Sequence, residues 1–170
     1  MTSELLPEEY FLPVTTFRVT MHSIGYFFES DTRSGNHASI LLLTGDGLSV
    51  RLNMVKAGPI DTMGTYSEMR CRYDKSRTSL HTVDLQAVAG LTVKRVTELV
   101  LEKGRRNYRL APSGVGCRFW VKTIVEDLDS AGFIDASSKD AVAQVYNDIQ
   151  YNYTKDKASE FEPIDPSTFV

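Results

Sequence analysis

The hydrophobic period of this chain changes once, near Gly90, and that change constrains the fold more than any other feature. Before it, apolar residues alternate with polar ones or run in short β-branched blocks, as strands do. After it, they recur every three to four residues, as one face of a helix does. Strands first and helices afterwards make an α+β protein with an antiparallel sheet, because a parallel sheet needs a crossover between successive strands. The pattern predicts about five strands packed against two or three helices.

Residues 14–21 (VTTFRVTM) alternate and read as the first strand. Turn formers crowd residues 30–36 (SDTRSGN), and His37 then opens an apolar run, ASILLL, suited to a central strand buried on both faces. Gly45-Asp46-Gly47 is a hairpin signal. The return strand, LSVRLNM, puts Leu48, Val50, Leu52 and Met54 on one face and Ser49, Arg51 and Asn53 on the other. Residues 56–63 read as a loop, and residues 64–73 and 80–88 as two more strands joined by a polar segment. Val93, Val96, Leu99 and Val100 make the stripe of a first helix, with Gly104 past its end. Residues 108–110 read as a short extended piece, and Pro112 to Gly116 as a tight loop. A second helix opens at Cys117, buries Val121, Ile124, Val125 and Leu128, and stops before Gly132. Ser138 is placed to cap a third, running to about Asn152. The expected organisation is an N-terminal arm (1–13), one α+β domain (14–154) and a C-terminal extension (155–170).

Charge excludes some functions. The net charge of −3, with no block of Lys or Arg, argues against nucleic acid or an anionic membrane as partner, since phosphate binding needs concentrated positive charge. The basic residues Lys103, Arg105 and Arg106 sit where they complement a helix C-terminus. No apolar run has the length of a membrane span, and the first residues have no basic n-region. Two cysteines are too few for a disulfide scaffold, so reduced thiols and a cytoplasmic location are expected. No metal-ligand spacing and no phosphate-cradling glycine loop occur, so no metal and no cofactor are expected. The expected partner is a small-molecule substrate, with a homodimer kept open.

The chemistry points to Cys117. It follows Gly114-Val115-Gly116 and opens an amphipathic helix, where unpaired backbone N–H groups and the macrodipole stabilise a thiolate. Arg118 beside it adds positive charge, and Trp120 is a candidate pocket wall. His37, entering its strand from a turn, is the candidate base. Arg51 and Asn53 share a polar face on the next strand; either could orient an imidazole, and Arg51 could clamp a carboxylate. Each also has an ordinary structural reading: a packed thiol, a hydrogen-bonded strand-end histidine, a solvated sheet face.

The order is a histidine opening an apolar strand, a Gly-Asp-Gly hairpin, a polar return strand, then YRLAPSGVGCRFWV with its helix-opening cysteine. This resembles the circularly permuted papain-like proteins, such as the lecithin retinol acyltransferase and NlpC-type groups. The resemblance implies Cys117 as nucleophile and His37 as general base. The third, orienting position falls on Arg51, a cation that disfavours an imidazolium, so either Asn53 takes that role or the triad is not competent. Gly116 stands where those families have Asn or Asp before the cysteine. The phrases SVRLNM and GCRFWV also resemble a family of small fungal proteins, a domain of unknown function, some of whose members lie near secondary-metabolite genes. Together these imply a thiol-dependent hydrolase or acyltransferase acting on an amide, ester or thioester. The alternative is a non-hydrolytic isomerase, cyclase or metabolite binder with Cys117 structural. The site residues so expected are Cys117, His37 and Asn53 for catalysis, and Arg51, Trp120 and Arg118 for substrate binding.

Overall fold

The computed structural model describes residues 1–23, 36–56, 62–111 and 116–170. Most of the turn expected at 30–36, the centre of the loop at 56–63 and the glycine-bearing segment 112–115 lie outside the described residues. Among the described residues, a six-stranded antiparallel sheet forms from β1 (Thr2–Glu4), β2 (Thr16–Ser23), β3 (Asn36–Gly45), β4 (Leu48–Lys56), β5 (Gly64–Cys71) and β6 (Ser79–Gln86), in the order β1-β5-β4-β3-β2-β6. Three helices follow: α1 (Val93–Glu102), α2 (Cys117–Ser130) and α3 (Lys139–Asp148). The strand run from His37 is central, as its composition requires: Ala38 to Leu42 are all buried. At the β3–β4 hairpin, Gly45, Asp46 and Gly47 all take positive φ (99°, 54° and 71°), which explains two glycines around one aspartate.

The sheet has two different faces. One carries Phe17, Val19 and Met21 of β2, Ala38, Ile40 and Leu42 of β3, and Val50, Leu52 and Met54 of β4. These join the stripes of the three helices in a single core. The other face carries Arg18, Thr20 and His22, then His37, Ser39 and Leu41, then Ser49, Arg51 and Asn53, as the alternation within each strand demands.

That second face is covered by residues 72–78. The connection must pass from β5 to β6 over four strand spacings, about 19 Å. Seven residues reach about 25 Å at full extension, so the segment has little slack and lies as a strap across β4, β3 and β2. Its bonds confirm the path. The Asp74 carbonyl accepts from Arg18 Nη1 (2.8 Å), the Tyr73 carbonyl accepts from Ser49 Oγ (2.6 Å), and the Thr78 carbonyl accepts from the Ser23 N–H (2.9 Å).

The arm expected at residues 1–13 is tied down. β1 pairs with β5 as the sixth strand, and a 3-10 turn, Pro7–Phe11, packs beside α1. The third helix ends at Asp148, short of Asn152, because Tyr151–Thr154 forms strand β8 of a hairpin with β9 (Lys157–Phe161). Ser138 does not cap it through its side chain; its hydroxyl accepts instead from the Gln86 N–H (2.9 Å). The C-terminal extension returns to the body, where β10 (Thr168–Phe169) pairs with β7 (Tyr108–Arg109).

Candidate active site

Three side chains from three elements meet where β3 begins and α2 starts. His37 Nε2 donates to Asn53 Oδ1 at 2.5 Å. That bond fixes the tautomer: with its proton committed to the amide oxygen, Nε2 leaves Nδ1 to face the Cys117 thiol, with which the imidazole is hydrogen-bonded. Asn53 is 9% exposed and held in the middle of its strand, so the orienting group is rigid.

The electrostatics favour an ion pair. Burial pushes the Cys117 thiol up, but the His37 hydrogen bond and charge, the Ala38 backbone and the Arg118 charge together hold it below the ordinary thiol value. Burial pushes His37 down, and the Arg51 charge does the same. The hydrogen bond and charge of Cys117, with the bond to Asn53, outweigh both and raise it above the ordinary imidazole value. A lowered thiol beside a raised imidazole moves the shared proton towards nitrogen, in the direction of a thiolate–imidazolium pair. Cys117 is a partly exposed residue.

The start of α2 is set from below. Gly116, its N-cap, contributes no side-chain cap. Its carbonyl accepts from the buried Tyr108 hydroxyl at 2.5 Å. Ser167 Oγ, from the returning C-terminus, accepts from the Ala111 N–H at 2.9 Å and lies against Gly116. A Cβ at Gly116 would collide with that hydroxyl and come within 3.2 Å of the Tyr108 oxygen. This explains a glycine before the cysteine without invoking a positive φ. Gly116→Ala should therefore shift the Cys117 backbone, slow thiol alkylation by about tenfold or more and destabilise the fold by about 1–3 kcal/mol. Adding Ser167→Gly should restore part of both; a single variant with wild-type alkylation and melting would contradict the clamp.

Beyond His37 and Asn53, under the strap, lies a cavity of about 150 Å³ lined by His22, Ser23, His37, Ser39, Arg51, Asn53, Ser76 and Thr78. His22 pairs directly across from His37 in the β2–β3 register, and the two rings stack at 6.1 Å. Its Nδ1 meets Thr78 Oγ1 at 3.1 Å and its Nε2 meets Ser39 Oγ at 2.7 Å. Burial first, then the charges of His37 and Arg51, press the His22 pKa down to about 4, so this ring is neutral when the other is charged.

Of the residues expected from sequence, Cys117, His37 and Asn53 come together, and Arg51 lines the adjoining cavity. Arg118 and Trp120 do not join them. The Arg118 guanidinium donates to the carbonyls of Ile149 and Glu162 (3.1 Å each) and pairs with the Glu162 carboxylate at 2.9 Å, so it anchors the C-terminal segment. Trp120 is fully buried in the helix–sheet core and its indole N–H donates to the Arg105 carbonyl at 2.9 Å. Among the described residues, no three His, Cys, Asp or Glu side chains converge as a metal-ligand set. No helix among the described residues is long and apolar enough to cross a membrane.

A family described as a domain of unknown function (DUF7770) matches residues 17–170, from β2 through the C-terminus. The chain belongs to this family. The DUF7770 match takes in Cys117, His37, Asn53 and the whole cavity lining, and leaves out β1 and the turn after it. Neither a curated protein nor a solved structure matches the chain.

Proposed function

We propose that this DUF7770 protein is a thiol-dependent hydrolase or acyltransferase acting on an amide, ester or thioester of a small molecule. The observation that carries the reading is the continuous chain from Cys117 to His37 to Asn53, with the thiol and imidazole shifted in opposite directions. Paired shifts of this kind are what a nucleophile and its base need.

In the first half-reaction, the Cys117 thiolate attacks the carbonyl carbon. A C–S bond forms and the carbonyl π electrons move to oxygen. The oxyanion is received by the Cys117 backbone N–H, and the absence of a side-chain cap on α2 supports that role. Collapse breaks the bond to the leaving group, which takes the proton from His37, and a thioester remains. In the second half, water or an acceptor hydroxyl or amine gives its proton to His37 and attacks the thioester, and Cys117 leaves as thiolate. Asn53 holds the imidazole in one plane through both halves.

The arrangement supports kinship with the permuted papain-like proteins, in which a histidine strand precedes a cysteine helix and the helix packs on an antiparallel sheet. The resemblance to fungal proteins near secondary-metabolite genes supports a metabolite over a protein as substrate, and two free cysteines support a reducing, cytoplasmic setting.

A panel of activated esters and thioesters tests the reading. The expected result is an acyl adduct on Cys117, seen by intact-mass and peptide mass spectrometry, that accumulates in wild type and is absent from Cys117→Ser. A second reading, a metabolite-binding or isomerising protein, is favoured by the polar cavity alone. Full activity in Cys117→Ser with no adduct in wild type would select it.

A further inference from the structure

Among the described residues, the cavity under the strap holds positive charge and no acidic side chain. Arg51 lines it, and Nε of that guanidinium is buried with no hydrogen-bond partner. The Tyr73 hydroxyl hydrogen-bonds the same guanidinium but brings no charge at neutral pH. None of the eight described lining residues is acidic. The remaining described walls are Ser23, Ser39, Ser76 and Thr78, the two histidines and the Asn53 amide, all able to donate or accept hydrogen bonds. An unpaired buried guanidinium nitrogen is costly, and water alone satisfies it less well than an anion does.

The same cavity is walled by His37 and Asn53, so its occupant sits directly behind the imidazole of the reacting pair. In the ion-pair state, Arg51 and the imidazolium face one space, and a negative charge against Arg51 would offset both. The volume of about 150 Å³ matches a group of benzene size, enough for a carboxylate on a short stem with a water or two, and too little for a bulky anion.

We propose that the strap-covered cavity is a subsite for a compact carboxylate, held by Arg51 with Ser39, Ser76 and Thr78 behind the imidazole. Its bearing on a reacting pair rests on the thiol reading above; the subsite itself does not. Arg51 here is a binding residue, and His22, neutral and fixed between Ser39 and Thr78, is part of the wall that positions it.

Acetate and its neutral isostere acetamide test this, with the histidine ring resonances as readout. In wild type and in Cys117→Ser, acetate should shift the His22 and His37 resonances saturably and acetamide should not; the acetate shifts should be lost in Arg51→Gln and kept in Arg51→Lys. Absence of a saturable acetate shift in the folded wild type, or equal shifts in Arg51→Gln, would overturn the subsite. Saturable acetate shifts with an inert Cys117 would retain the subsite and remove the thiol reading. A reactive Cys117 without saturable shifts would do the reverse.

Discussion

Replacing His37 with alanine is expected to slow alkylation of Cys117 at mildly acidic pH by on the order of 100-fold. The cause is specific. Burial alone pushes the Cys117 thiol up, and His37 supplies the two largest effects that bring it back down. Without the imidazole, the Ala38 backbone and the Arg118 charge remain, with Arg118 already committed to Glu162. The thiol should then titrate well above its wild-type value. The difference in rate should be greatest at low pH, where only the wild type holds a thiolate, and should close as pH rises and the variant ionises too. His37 lies at one end of β3, outside the helix-packed core, so the variant should fold. An unchanged rate at mildly acidic pH, in a folded variant, would mean that the helix start alone activates the thiol.

Trp120→Ala is expected to cost about 3–5 kcal/mol of stability, which corresponds to a fall in melting temperature of about 10 °C for a domain of this size. The indole is fully buried between α2 and the sheet, packs against Tyr66 at 5.8 Å, and donates to the Arg105 carbonyl. Truncation leaves both a cavity and an unpaired carbonyl. Trp120→Phe fills most of the space and should recover about half of the loss. Thermal and urea melts measure both. A stable Trp120→Ala protein that reacts more slowly with thiol reagents would instead make Trp120 a wall of the active site.

The two variants mark where sequence was legible. A helix N-terminus, a strand entered from a turn and the alternation of SVRLNM are local patterns, and they are enough to nominate Cys117, His37 and Asn53. Arg51 and Asn53 looked equivalent because alternation places them on one face. Only the three-dimensional offset between β3 and β4 gives the imidazole to Asn53 and the cavity to Arg51. Arg118 looked like part of the site because it is next to Cys117, but a helix turns about 100° per residue, which sends it to the Ile149 and Glu162 carbonyls. Trp120 falls on the stripe that packs against the sheet, and a sequence does not distinguish a core indole from a pocket wall. His22 was present in the first strand, but its importance depends on pairing with His37 in register. The strap was illegible for a different reason. A polar connection between two consecutive strands reads as a hairpin turn, and only the sheet order reveals that it must cross three intervening strands. The short terminal strands have few residues to show a period, so the pairing of β1, β7 and β10 left no pattern to read.

The most direct test of the central claim is the pH dependence of Cys117 alkylation in the folded wild-type protein, resolved from the buried Cys71 by mass spectrometry. The account predicts a midpoint below the ordinary thiol value, with a plateau that extends above the ordinary imidazole value and a midpoint that moves up when His37 is replaced. A midpoint at or above the ordinary thiol value, indifferent to His37, would contradict it.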